Sequence, residues 1–131
     1  MNRTESAREF FAGDIYATET TGIKIELAEK DHAICSLEPN RTHLNANVKV
    51  MGGALFTLAD FTFAVASNTD NAPTVTLTSQ ISYIAPADGG KLFAEAKCLR
   101  SGKTTAMFFI EIKDISGRLI ASVSAAGARR S

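Results

Sequence analysis

One stretch constrains the chain more than any other. From Gly52 to Asn68 the sequence is almost continuously apolar for about four helical turns and carries a single charged residue, Asp60. A helix that is apolar on all sides is a buried helix and must be covered from several directions. Asp60 then needs either a basic partner or a use, because taking an isolated carboxylate out of water is strongly unfavourable.

The rest of the chain supplies the cover. Residues Ser6 to Tyr16 place Ala7, Phe10, Phe11 and Ile15 at helical spacing, with Gly13 and Asp14 near the end, and predict a short amphipathic helix on the outside of the domain. From Gly22 the period changes to two. Ile23, Ile25 and Leu27 alternate with Lys24, Glu26 and Ala28, and Lys30-Asp31-His32 turns into Ala33, Cys35 and Leu37, which is a hairpin pattern. Pro39 and Asn40 end it. The polar run from there to Met51 is longer than a simple connection and reads as a functional loop.

After the apolar helix, the segment Asn68 to Pro73 is a helix stop. Four strands follow, Thr74 to Ala85, Leu92 to Arg100, Thr104 to Lys113 and Leu119 to Ala126, separated by Pro86–Gly90, Ser101-Gly102 and Ser116-Gly117. Short turns between consecutive strands predict antiparallel pairing. One antiparallel sheet and one greasy helix define an α+β chain in which the sheet curls around the helix, and the helix face that the sheet leaves bare needs a partner.

Length and charge narrow the function. A chain of 131 residues is expected to form one domain over 1–131. Its formal net charge is zero, and its one basic cluster is the terminal Arg129-Arg130, so nucleic-acid and polybasic membrane binding are disfavoured. No apolar signal core opens the sequence and Asp60 interrupts the longest apolar run, which predicts a cytoplasmic protein without a membrane span. Cys35 and Cys98 stand alone in strand patterns, without Cys-x-x-Cys spacing, and read as buried thiols rather than a disulfide or metal ligands.

On a helical wheel of about 100° per residue, Gly53, Phe56, Thr57, Phe63, Ala64 and Ser67 share the Asp60 side, while Leu55, Leu58, Thr62 and Val65 lie opposite. The first group is a lane of mostly small residues with one acid, and it has the composition of a site; a basic neighbour paired with Asp60 is the structural alternative. Gly52-Gly53 lies where loop becomes helix. A helix N-terminus offers unpaired N–H groups at the positive end of the macrodipole, and glycine permits close approach to them. Gly53 and Asp60 are about 10.5 Å apart along one helix axis, too far to act on one carbonyl, since an attacking group and an oxyanion donor each sit about 3 Å from the reacting centre. If both are catalytic, two chains cooperate, and a two-fold axis laying two helices antiparallel sets Asp60 of one against Gly53 of the other.

These residues also match a family pattern. His43-Leu44-Asn45, followed by Val50-Met51-Gly52-Gly53 and then Leu58-Ala59-Asp60, resembles the motif of the phenylacetate-pathway-type (PaaI-like) thioesterases of the hotdog-fold superfamily. The usual form is His-x-Asn-x-x-Gly-x-x-His-Gly-Gly followed by Leu-Ala-Asp. The resemblance covers nearly the whole chain, including Tyr83-x-x-Pro86-Ala87 and Gly117-Arg118-Leu119. It implies a hotdog homodimer, often paired into a homotetramer, that hydrolyses acyl-coenzyme A thioesters with no cofactor beyond the coenzyme A of the substrate and no metal.

By position, Asp60 is then the nucleophile or general base, Gly53 the backbone oxyanion donor, and Asn45 the residue that positions thioester or water. Gly52 and Met51 border the site, and Ser67 is a candidate for orienting water. Two positions depart from the pattern: Met51 replaces the His of His-Gly-Gly, and Val48 replaces the loop Gly. Methionine neither donates a useful hydrogen bond nor transfers a proton, so a non-catalytic acyl-CoA binder is the alternative function. A hydratase on the same fold would want a histidine acid or base near a carboxylate. For the phosphates of coenzyme A, the basic turn Arg100-Ser101-Gly102-Lys103 is the candidate. His43 is expected to order its loop rather than to catalyse.

Overall fold

Apolar periodicity becomes structure largely where it is expected. A computed structural model describes residues 1–130. The apolar stretch is one helix, α2 (Gly52–Asn68), preceded by α1 (Arg3–Phe11). Six strands, β1 (Lys24–Glu29), β2 (His32–Leu37), β3 (Thr74–Tyr83), β4 (Leu92–Ser101), β5 (Thr105–Asp114) and β6 (Leu119–Arg129), form one antiparallel sheet in the order β1-β2-β4-β5-β6-β3. Helix α2 lies against all six strands, and Leu58, Ala59, Thr62, Val65 and Ala66 are wholly buried beneath them. Phe63 meets Phe108 of β5 edge to face, ring centroids 5.4 Å apart. The sheet wraps the helix as expected but does not close, leaving β1 and β3 as edges.

Strand order corrects one expectation. The segment after β3 is not a hairpin: β3 pairs with β6, and β4 pairs with β2. Instead of turning back, the chain crosses the end of the sheet. Ile84 and Ala85 donate to the Ile120 carbonyl at 2.8 and 3.1 Å, Val50 donates to Ala87, and Arg118 Nη2 holds the Pro86 carbonyl at 2.8 Å. Bonds to β6, to Arg118 and to the loop before α2 hold the connection in place without a partner strand.

The first helix is also displaced. It begins at Arg3, where Asn2 caps it by accepting the Glu5 N–H at 2.9 Å, and it ends at Phe11 rather than Tyr16. After Gly13 and Asp14 the chain makes a separate π-helical turn, Tyr16–Thr20. Helix α1 covers the β1 edge: Arg8 Nε donates to the Ile25 carbonyl at 2.8 Å and Thr4 Oγ1 accepts from the Ala28 N–H at 3.1 Å. Its buried Phe11 packs on Phe61 of α2, centroids 5.8 Å apart. Among the described residues the β3 edge has no such cover, and Val75, Leu77 and Tyr83 are exposed along it.

Both cysteines are free thiols, Cys35 buried and Cys98 half-buried. Burial pushes the Cys35 thiol up to about 12, which leaves it inert as a nucleophile. Among the described residues no helix is long and apolar enough to cross a membrane.

Candidate active site

The loop before α2 is built around two side chains. His43, in a 3₁₀ turn over Arg41–His43, is buried: Nδ1 accepts the Asn40 N–H at 2.9 Å and Nε2 lies 2.7 Å from the Thr21 carbonyl. A carbonyl only accepts, so Nε2 carries the proton and the ring is the neutral tautomer with both nitrogens occupied. His43 therefore orders the loop, as expected of it. Asn45 Oδ1 accepts the N–H groups of Asn47 and Lys49 at 2.9 and 3.1 Å, which leaves its Nδ2 amide as the donor open to a ligand. Val48 follows with φ +62°, the left-handed conformation that glycine adopts without cost.

Helix α2 starts uncapped. Met51 occupies the N-cap position with no side-chain hydrogen bond, and its carbonyl accepts from Ala54 and Leu55. The N–H groups of Gly52 and Gly53 have no acceptor among the described residues. The two glycines have different reasons to be glycine. A Cβ on Gly52 would lie 3.0 Å from the Tyr83 ring, whose hydroxyl donates to the Gly52 carbonyl at 3.0 Å. A Cβ on Gly53 would meet nothing within 4 Å. Packing explains Gly52. Nothing within the described chain explains Gly53.

From this terminus two adjoining clefts run along α2, of about 360 and 310 Å³. Met51, Gly53 and Thr57 line the first; Asp14, Asp60 and Phe61 line the second; Tyr16 and Thr57 belong to both. They form one groove whose outer wall is the segment carrying the π turn. Asp60 is exposed in the single chain, not withdrawn from water as its apolar helix suggests; the neighbours that partly bury it, and then the charge of Asp14, raise its carboxyl above the usual carboxylate range. No basic group acts on it, so the structural alternative of an ion-paired Asp60 does not occur among the described residues. Nothing local in the sequence marks Asp14 or Tyr16 as site residues: both read only as the end of the first helix.

The Asp60 lane is narrower than the wheel implies. Gly53, Phe56, Thr57 and Ala64 are exposed or half-buried, whereas Phe63 and Ser67 are buried. Ser67 is therefore corrected: it has no exposed surface and does not reach the groove in this chain. The start of β3 and the end of β6 close over the last turn of α2, where Ser67 gives its carbonyl to Thr74 and Arg129. The basic turn lies at that same end. Arg100, Ser101 and Lys103 are exposed, and Gly102 is required there because a Cβ would fall 2.7 Å from the Thr105 carbonyl. Within one chain the turn and Gly53 are separated by the length of α2, roughly 25 Å. Among the described residues no group of three or more His, Cys, Asp or Glu side chains could hold a metal ion.

Known proteins share this arrangement. A family model described as the thioesterase superfamily matches residues 49–121, over half of the chain. A proposed esterase from Archaeoglobus fulgidus is 36% identical over 94 residues, covering 71% of this chain but only 61% of that relative's length. The acyl-coenzyme A thioesterase PaaI of Escherichia coli is 29% identical over 118 residues, 89% of this chain and 84% of that protein. The solved structure of the E. coli PaaI protein superposes with a TM-score of 0.91 at 25% identity, covering 98% of this chain and 94% of that one. With its motif loop, its open helix N-terminus and its sheet curled around α2, the chain belongs to the thioesterase superfamily and is a PaaI-like member of the hotdog fold.

Proposed function

We propose that the protein is an acyl-coenzyme A thioesterase whose site is completed by a second copy of the chain. One observation carries this reading: an unpaired carboxylate, Asp60, and an open backbone donor, at Gly53, lie on one groove but about two helical turns apart. Each is half of an acyl-transfer site. A two-fold axis laying two α2 helices antiparallel joins the halves, and it also covers the bare lane of α2. The exposed β3 edge, with Val75 and Leu77, offers continuous pairing to a second copy. The E. coli relative, named an acyl-coenzyme A thioesterase, supports the substrate class.

In this site Asp60 activates water or itself attacks the thioester carbonyl, and the N–H of Gly53 of the partner subunit donates to the oxyanion. Collapse of the tetrahedral intermediate breaks the carbon–sulfur bond, and coenzyme A leaves as a thiolate that takes a proton; where water attacks, the free acid forms in this step, and where Asp60 attacks, water then cleaves the acyl–Asp60 anhydride to release the acid and restore the carboxylate. The Asn45 amide holds the thioester or the water. The turn Arg100–Lys103 takes the nucleotide phosphates, and the antiparallel arrangement brings it from the far end of one α2 toward the partner's helix N-terminus. Met51 favours a second reading, a protein that binds acyl-CoA without cleaving it, because its exposed thioether stands at the mouth of the groove and moves no proton.

Thiol release from short-chain, long-chain and aromatic acyl-CoAs tests the proposal beside an Asp60→Asn variant. Turnover is expected to fall by about 10²–10⁴-fold in that variant, while light scattering still reports a dimer or tetramer. Undiminished turnover in the variant sinks the assignment, and saturable binding with no thiol release from the native protein establishes the binder.

A further inference from the structure

We infer that Arg129 is the positioning residue for the coenzyme A end of the site, locking the basic turn Arg100–Lys103 onto the C-terminal end of α2. The inference rests on the reading of that turn as the phosphate-binding element.

Charge composition makes Arg129 look like half of a solvated terminal pair, yet its side chain is only 5% exposed. A guanidinium has five N–H donors in a fixed planar fork, and here every one is used. Nε donates to the Gly102 carbonyl at 3.2 Å; Nη1 donates to the Ser67 carbonyl at 2.9 Å and to Thr74 Oγ1 at 2.8 Å; Nη2 donates to Ser101 Oγ at 2.8 Å and to Asp31 Oδ1 at 3.3 Å. Its backbone N–H adds a bond to the Thr104 carbonyl at 2.8 Å. One residue thus ties the β4–β5 turn to the last turn of α2, the start of β3 and the β1–β2 turn.

The tie falls on the middle of the turn, at Ser101 and Gly102, and leaves the charged residues on either side, Arg100 and Lys103, exposed. Hairpin tips are ordinarily among the freest parts of a fold. A tip held in place loses less freedom when two flanking cations close on phosphates, so more of their attraction appears as affinity. Lysine keeps the charge of Arg129 but not the fork, and cannot serve five acceptors on four elements.

The test compares one acyl group carried on coenzyme A with the same group carried on pantetheine, which has no nucleotide. In Arg129→Lys, KM for the acyl-CoA is expected to rise about tenfold with kcat unchanged, while KM for the acyl-pantetheine stays constant. Asp31→Asn shifts the same ratio by about two- to threefold, since Asn tolerates the φ of +61° at that position and only the charged partner is lost. It carries the test if Arg129→Lys fails to fold. Equal changes for both thioesters, or none in a folded variant, overturn the inference. The double substitution Arg100→Ala, Lys103→Ala separates the premise. If it leaves KM for the acyl-CoA unaltered, the turn is not the nucleotide site and the inference falls with it. If it raises KM while Arg129→Lys and Asp31→Asn do not, the phosphate reading stands and the positioning role is overturned.

Discussion

The two ends of α2 are built on opposite terms. At the C-terminal end the helix is tied down: the Asn68 amide donates to the Ala64 and Thr74 carbonyls at 2.8 and 3.2 Å, its oxygen accepts the Thr74 N–H at 2.8 Å, and Arg129 donates to the Ser67 carbonyl at 2.9 Å. At the N-terminal end the helix has no side-chain cap, Met51 is exposed, and the preceding loop passes through a left-handed valine. A Ser, Thr, Asp or Asn at the N-cap would stabilise the helix by about 0.5–2 kcal/mol. Forgoing it leaves N–H donors for something outside the chain. Polar contacts are concentrated at one end and the other is left open, and this division can be attacked experimentally.

Of the substitutions that test this division, Met51→His is expected to have the largest effect. An oxyanion-hole donor contributes about 2.7–4 kcal/mol to catalysis, equivalent to about 10²–10³ in rate. A histidine at the mouth of the groove should raise thiol release toward the lower figure, about 10²-fold. Met51 is exposed, so thermal unfolding should not move with it. Unchanged turnover would mean that the thioester carbonyl does not come to this end of the helix, and the comparison of ends would lose its functional half.

How the sequence encodes the two ends also differs. The open end was legible: the Gly-Gly junction, the loop motif and the lone Asp60 are local features, and the period-two runs gave the strands that the sheet contains. The closed end was not. Ser67 falls on the Asp60 side of an ideal wheel but is buried, because cover along a helix is set by where other strands begin and end. Thr74 pairs with Arg129 across β3 and β6, and that register extends β6 three residues past Ala126. No local signal identifies a pairing between residues so distant in the chain. For the same reason Pro86–Gly90 reads as a hairpin turn although β3 lies at the far edge of the sheet from β1.

A smaller effect tests whether the open end is strained. Val48 is β-branched, exposed and held at φ +62°, where an L-residue meets its own carbonyl and stores about 1–2 kcal/mol. Val48→Gly removes that strain and adds some freedom to the unfolded chain, so the net gain is about 1 kcal/mol in denaturant unfolding. No packing offsets it. A loss of stability in this variant would show that the valine side chain has contacts worth more than the strain.

The smallest effect is a displacement in pH, and it tests the electrostatics of the groove between the two ends. In the proposed mechanism Asp60 works as a carboxylate, so turnover should rise with pH through a pKa above the usual 3.8, held up first by partial burial and then by Asp14. A raised acid pKa means that the folded chain holds the proton more tightly than the unfolded one. The associated stability is fully present below the unfolded pKa and is lost as pH rises through the folded value. Asp14→Asn removes the neighbouring negative charge but not the burial. The acid limb of kcat/KM should therefore move to lower pH while staying above the ordinary carboxylate value. Arg129→Lys, at the closed end, should leave that limb where it is. A limb that follows Arg129→Lys, which keeps the charge and loses only the fork, and ignores Asp14 would mean that the two ends are coupled through the packing of α2, and that the division between them is not one of function.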